Sequence, residues 1–259
     1  MDAGTLVAEE EFAITPPVKI TPALAKSDFS IKESAQELNI SKSNFSVTFD
    51  KQTGRFKNYT VGKNVLIDEG PQLSLFRPLN DNDFGSGQNR KADYLKNPGL
   101  KVTSFSHEKT TDGAWKIKVE FTLLNGDASF TQTTTIFDKG VMKIDNDFKA
   151  IKGKHELLLR MGNDLLLPKT LNSLQWYGRG PWESYSDRKS SAMVGIYKGS
   201  VQDQYHPYVR PQESGNKTDV HWAQVTNNKG VGIKVLYADS LLNVKALPYS
   251  WQQLYPSPQ

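Results

Sequence analysis

Residues 115–148 read WKIKVEFTLLNGDASFTQTTTIFDKGVMKIDNDF. Trp115, Ile117, Val119, Phe121 and Leu123 alternate with Lys116, Lys118, Glu120 and Thr122. That period of two describes a strand with one buried and one wet face. Asn125-Gly126-Asp127 is a hairpin signal leading into a Thr-rich strand over 129–137. Asp138-Lys139-Gly140 turns the chain again, into Met142, Ile144, Asn146 and Phe148. Three strands joined by Gly-bearing turns make an antiparallel meander.

The same period runs outward in both directions. Upstream, Phe45, Val47 and Phe49 alternate with polar residues, and Asp50 to Gly54 forms a tight turn whose glycine takes a positive φ. Residues 55–66 continue the meander, with Phe56, Tyr59, Val61 and Val65 expected on one face. Downstream, 157–161 and 164–167 are short apolar runs, the second stopped by Pro168. Residues 222–226, 230–237 and 242–247 read as further strands. Helix is confined to a turn or two over 89–96, ended by Asn97-Pro98-Gly99. Many strands without crossover helices predict an all-β antiparallel sandwich, occupying residues 27–259 as one unit.

Composition narrows the function classes. With 259 residues, 37% hydrophobic and 23% charged, the chain can bury a sizeable core. The net charge of +4 is spread without a basic run, which argues against nucleic acid. There is no cysteine, hence no thiolate ligand or nucleophile. No stretch approaches the ~18 apolar residues of a membrane helix. The first residues carry neither the basic nor the apolar region of a signal peptide. They read instead as the last strand of something else, with Leu6, Val7, Phe12 and Ile14 as its apolar positions. A Pro-bearing linker follows, so residues 1–26 are expected to be the tail of a preceding domain.

Chemistry concentrates in residues 176–222. Trp176, Tyr177, Trp182, Tyr185, Tyr197, Tyr205, Tyr208 and Trp222 are eight of the chain's fifteen Trp and Tyr residues. Gly178, Gly180, Pro181, Pro207, Pro211 and Gly215 read as loop punctuation. Arg179, Glu183, Asp187, Arg188, Arg210, Gln212, Glu213 and Asn216 supply planar hydrogen-bonding groups. Rings and forks on shaped loops suit a sugar; equally, buried Tyr and Trp need polar partners in any core. A carboxylate pair for glycoside hydrolysis, Glu183 or Asp187 with Glu213, requires loops that converge. Asp81-Asn82-Asp83 fails the EF-hand pattern and reads as a hydrogen-bonded turn. His107, His155, His206 and His221 form no metal-binding spacing.

Residues 177–188, YGRGPWESYSDR, resemble the G-x-G-P-x-E-x-Y-x-D-R signature of the C-terminal domain of LacZ-type β-galactosidases of glycoside hydrolase family 2. Residues 208–216, YVRPQESGN, are similar to its second signature, Y-x-x-P-x-E-x-G. Residues 76–83, FRPLNDND, resemble its R-x-P-x-D-N-D turn, and 49–54 its opening hairpin. Residues 7–12 are similar to the closing strand of the preceding immunoglobulin-like domain.

The resemblance implies a galactose-mutarotase-like β-supersandwich. It implies that the catalytic glutamates, and any Mg²⁺ or Na⁺, lie in a preceding (β/α)₈ barrel, leaving this chain non-catalytic and without a cofactor. The barrel, the immunoglobulin-like domains and a homo-oligomeric parent are the implied partners, with galactosides bound weakly at most. The family's pocket aromatic lies in a Gly-rich, Trp-ending stretch near the C-terminus. This sequence stops before such a stretch, so the last strands are expected to be missing. The compartment stays open between cytoplasm and periplasm.

Arg77, Asp81, Asp83, Trp182, Glu183, Tyr208, Glu213 and Asn216 are the candidates for substrate binding or loop shaping. Arg179, Glu183, Asp187 and Arg188 are expected to form one ion-pair network. Two other functions fit the fold family. An aldose 1-epimerase would use His206 or His221 with Glu183 or Glu213 as acid and base. A free-standing carbohydrate-binding module would use the aromatic loops.

Overall fold

Alternating burial appears strand by strand in the computed structural model, which describes residues 9–14, 29–153 and 158–254. Every strand pairing is antiparallel. The chain divides into two compact units, Pro22–Pro168 and a second made of Met1–Thr21 with Lys169–Gln259.

In the first unit, β1 (Ser30–Glu33), β2 (Glu37–Lys42), β3 (Phe45–Asp50), β4 (Phe56–Val61) and β5 (Asn64–Ser74) follow one another across a sheet. Two short helices, α1 (Asp81–Gly85) and α2 (Gln88–Lys91), and a 3₁₀ turn over Asp93–Lys96 follow, where a turn or two was expected from residue 89. The meander is then β6 (Lys101–Lys109), β7 (Trp115–Leu123), β8 (Ala128–Ile136) and β9 (Met142–Ala150). A short strand, β10 (Gly162–Leu166), returns to pair with β5.

The two sheets of this unit face each other. Leu38, Ile40, Val47, Phe49 and Phe56 of one sheet and Ile117, Val119, Phe121 and Phe130 of the other are all buried. The Phe49 and Phe105 rings meet edge-on at 6.4 Å. Gly54 has φ +72°, as the turn demands, and a Cβ there would stand 2.6 Å from Phe121 Cζ. Tyr59 Oη donates to the Gly140 carbonyl at 3.0 Å, tying the β8–β9 turn to β4.

One face assignment fails. Phe56 and Tyr59 are both buried, but Val65 is exposed while Leu66 and Ile67 are buried. The cause is a β-bulge in β4: Asn58 sits at φ +57°, and two residues of β4 oppose one of β3. The extra residue flips the parity as far as Val65; a second bulge, which leaves Leu66 of β5 unpaired between Val65 and Ile67, then allows Leu66 and Ile67 both to be buried.

In the second unit, β11 (Ser173–Gly180), β12 (Met193–Ser200), β14 (Trp222–Thr226) and β15 (Gly232–Leu236) form a sheet in the order β12-β11-β14-β15. The strands β13 (Lys217–Val220) and β16 (Leu242–Val244) form a separate pair, and a single helical turn, α3 (Trp251–Leu254), follows. Leu174, Trp176, Val220, Ala223 and Val225 make its core.

Here the glycines were misread. Gly178 and Gly180 lie inside β11 and punctuate no loop. A Cβ on Gly178 would lie 2.8 Å from Val220 Cα, and one on Gly180 would lie 2.6 Å from Tyr197 Cδ2. They permit close approach, the second use of a strand glycine. Of the expected N-terminal strand and linker, residues 1–8 and 15–28 lie outside the described residues, as does His155. Residues 9–14 form no strand, and Phe12 and Ile14 are exposed.

Candidate functional site

The loops joining β11 to β12 (181–192) and β12 to β13 (201–216) are zipped together by polar side chains. Glu183 is the centre. Its Oε1 accepts hydrogen bonds from Arg188 Nη2 and Tyr208 Oη, and its Oε2 accepts from the Gly215 amide at 2.8 Å. Beside it, Asn216 Nδ2 donates to the Ser184 carbonyl and the Ser184 amide to the Asn216 carbonyl, both at 2.8 Å. Ser184 and Thr218, both buried, share a hydroxyl–hydroxyl bond of 2.8 Å. Buried polar groups that are satisfied in this way fix a loop's geometry.

Around this centre the titrations are displaced. Burial pushes the Tyr185 phenol well above its ordinary range, and the negative charges of Glu213 and Glu183 push the same way. Among the described residues its hydroxyl is buried without a hydrogen-bond partner, as is that of Ser214. Tyr208 is raised by burial and by donating to Glu183. Lys217 is 3% exposed, and its ammonium stands 5.1 Å from the centroid of the Trp176 ring. Burial lowers its pKa to about 8, against the attraction of Glu183. Glu213 is held by Lys245, whose Nζ donates to both carboxylate oxygens at 2.9 and 2.8 Å.

The expected network of Arg179, Glu183, Asp187 and Arg188 is two clusters and a bystander. Arg179 Nε donates to Asp219 Oδ2 at 2.6 Å, and Lys189 Nζ to Asp219 Oδ1 at 2.7 Å. Burial raises Asp219, but those two hydrogen bonds outweigh it and hold the carboxyl below its usual range. Arg179 Nη1 also donates to the Ala192 carbonyl at 2.9 Å and lies 3.7 Å from Glu11 Oε2. Both Glu11 oxygens accept from the Val194 amide, at 2.7 and 2.8 Å. Strand geometry separates the two arginines: Arg179 lies within β11, whereas Arg188 lies in the following loop. Asp187 is exposed and forms no ion pair among the described residues.

The other candidates lie in the first unit. Arg77 grips Asp83 through two bonds, Nη1 to Oδ2 at 2.6 Å and Nη2 to Oδ1 at 3.1 Å. Asn80 caps α1: its side chain accepts from the Asp83 amide while Asp83 accepts from the Asn80 amide. This capping box accounts for the expected turn. Asp81 lies in the first turn of the same helix.

Trp182 stands exposed near the start of the loop that follows β11. His206 packs edge-on against Tyr208, and His221 stacks on Tyr177 with ring centroids 4.3 Å apart. Neither is hydrogen-bonded to a carboxylate among the described residues. No group of three or more His, Asp or Glu among them is placed to hold a metal. The site's carboxylates are therefore engaged by Arg188, Tyr208, Gly215 and Lys245. An acid or base in glycoside chemistry needs a carboxylate facing a substrate; these face the protein.

The sequence reading missed Asp219, Lys189, Lys217 and Lys245. Nothing in their neighbourhood signals them: Asp219 pairs with a residue forty positions away, through a backbone at φ +53°.

Residues 41–258 match the family model described as β-galactosidase small chain. A β-galactosidase of Priestia megaterium is 35% identical over 256 residues, 96% of this chain and 24% of that protein. One from Lactobacillus delbrueckii subsp. bulgaricus is 34% identical over 98% of this chain and 25% of its own length. One from Kluyveromyces lactis is 24% identical over 94% and 25%. The chain spans about a quarter of the length of these curated relatives.

Proposed function

Because the chain belongs to the β-galactosidase small-chain family, we propose that it works as a non-catalytic C-terminal domain of a family 2 β-galactosidase. In that role it walls the galactose pocket of a catalytic barrel and supports the assembly, while hydrolysis of terminal β-galactose is carried out upstream. A galactose-mutarotase-like supersandwich is the fold this reading expects.

The observation that carries the proposal is the engagement of Glu183 and Glu213. Glu183 accepts three hydrogen bonds from this chain, and Glu213 is clamped by Lys245. A retaining glycosidase needs two carboxyls free to attack and to transfer a proton across a sugar. Carboxylates committed in this way serve architecture. The relatives' length supports the same reading, since three quarters of it lies outside the match.

The test is turnover of a nitrophenyl β-galactoside. The purified 259-residue chain is expected to show none, and the longer polypeptide carrying it to hydrolyse the substrate. Hydrolysis by the chain alone that disappears in Glu213→Gln would overturn the proposal.

A further inference from the structure

The sheet of the second unit carries an ordered outer face. Strand registers align Ile196 with Tyr177, Tyr177 with Trp222, and Trp222 with Leu236, a straight row across β12, β11, β14 and β15. Two residues along the strands, Lys198 faces Gln175, Gln175 faces Gln224, and Gln224 faces Lys234. The intervening residues Leu174, Trp176, Ala223 and Val225 are buried, so both rows lie on the face turned away from that core. Ile196 is 64% exposed and Leu236 39%. The phenol of the first row is fixed from the side: His221 stacks on Tyr177, and buried Tyr237 meets His221 edge-on at 5.8 Å. Lys234 Nζ stands 4.2 Å from the centroid of the Trp222 ring. Gln224 Nε2 donates to Gln175 Oε1 at 2.8 Å, which leaves Gln175 Nε2 and Gln224 Oε1 without a hydrogen-bond partner among the described residues.

We propose that this face binds an acidic polysaccharide, a chain of pyranose rings bearing uronate carboxylates. The inference does not depend on the function proposed above. Charge selects the ligand. Neither row holds a carboxylate, and exposed Lys198 and Lys234 end the second row on its two edge strands, about 14 Å apart across three strand spacings. Ammonium groups set at that interval fit carboxylates repeated along an extended chain. Between them the amide pair offers a hydroxyl one donor and one acceptor. The Tyr177 and Trp222 rings give the C–H side of a pyranose an apolar surface beside those polar groups. A uronate that reaches Lys234 lays its ring against the indole below that ammonium, so charge and stacking act on the same sugar unit.

Other occupants suit the face less well. The two rows extend about 14 Å across the strands and about 7 Å along them. That footprint, on the order of 100 to 200 Å², is a fraction of the ~800 Å² that each partner gives to a specific protein interface. A second copy of the chain would bring lysines against lysines with no carboxylate in either row to meet them. Single-stranded nucleic acid needs open ring faces for its bases. Here His221 covers one face of Tyr177, and Lys234 stands over Trp222. Two lysines at opposite edges also cannot follow a phosphate at every nucleotide.

The experiment is affinity electrophoresis of the 259-residue chain through gels carrying polygalacturonate, a neutral galactan or no polymer. Polygalacturonate is expected to retard the chain, and the neutral galactan to retard it less. Lys198→Gln combined with Lys234→Gln should weaken binding to polygalacturonate about tenfold, the loss that follows when two solvent-exposed charge contacts are removed. Both lysines are exposed, so the melting temperature of that variant should not change. Trp222→Ala should weaken binding as well. No retardation by polygalacturonate, equal retardation by the neutral galactan, or full retardation of the double lysine variant overturns the proposal. Tighter binding of an oligothymidylate than of polygalacturonate assigns the face to single-stranded nucleic acid and overturns it equally.

Discussion

The meander β6–β9 and the stretch from Trp176 to Trp222 are held by different physics. In the meander, alternate side chains of β7 and β8 point inward, and burial of Ile117, Val119, Phe121 and Phe130 does the work. Each contact follows from the strand period and a nearby turn. In the second region the strands approach one another through glycine, and distant segments are joined by Glu183 and Asp219 across 25 to 40 residues of sequence. Apolar packing tolerates exchange of similar shapes, whereas a close backbone approach or a buried carboxylate tolerates almost none. The density of Gly, Pro, Trp and Arg in this stretch is thus a demand of its geometry before it is a demand of any ligand.

The largest effect should come from the strand glycine. In Gly178→Ala the new Cβ meets Val220 Cα at 2.8 Å and the Asp219 carbonyl at 3.1 Å, and backbone cannot step aside as a side-chain tip can. Overpacking of this kind should cost about 3 kcal/mol. The matching substitution in the first unit is Gly62→Ala, a turn glycine at φ +60° with open space where the Cβ would go. Left-handed strain alone should cost about 1 kcal/mol there. Urea midpoints of the two variants, at unchanged m-value, measure the gap; equal losses would refute the close-approach account.

Next in size is a dependence on pH. Lys217 is buried without an ion-paired carboxylate among the described residues, and its folded pKa is lowered to about 8 from 10.5. Below pH 8 both folded and unfolded chains carry the proton, and the penalty of burying the charge is present in full. Between 8 and 10.5 the unfolded chain binds more protons than the folded one, so stability should rise with pH. The gain between pH 8 and 10 should be about 2 kcal/mol. Above 10 the raised phenols of Tyr185 and Tyr208 reverse the trend, because the unfolded chain then loses protons first. Lys217→Met should flatten the rise while leaving the high-pH fall. A rise of the same slope in that variant would assign it to another group.

How much was legible in the sequence follows the same division. The strands β3, β7 and β14, the turn at Gly54 and the antiparallel all-β class were all readable, because alternation and turn chemistry are local. The bulge at Asn58 was not, so Val65 was placed on the wrong face: a single residue at positive φ leaves no periodic trace. Gly178 and Gly180 were misassigned for a related reason. Glycine marks both turns and close approaches, and only the opposing strand tells them apart. The family signatures were readable as words, since their Gly, Pro and Arg spacing is specific, but not as contacts. Arg179 stands beside Glu183 in sequence and beside Asp219 in space.

The smallest effects test whether Glu183 is the centre of its cluster or one member among equals. Glu183→Gln removes the charge that Arg188, Tyr208 and the Gly215 amide all bind, and leaves one acceptor oxygen for three donors. That should cost about 2 kcal/mol, since bonds to a charged, half-buried group are lost. Arg188→Ala removes only a half-exposed cation, while Tyr208 and Gly215 go on holding the carboxylate. Its cost should stay below about 1 kcal/mol. Asp187→Ala, in the same signature, should leave the melting temperature unchanged, because its side chain is exposed and ion-paired to nothing among the described residues. Thermal melts of the three variants should therefore rank Glu183 first, Arg188 second and Asp187 last. If Asp187→Ala melts as low as Glu183→Gln, the acidic residues act as one network after all. The separation of the arginines between strand and loop would then have no energetic meaning.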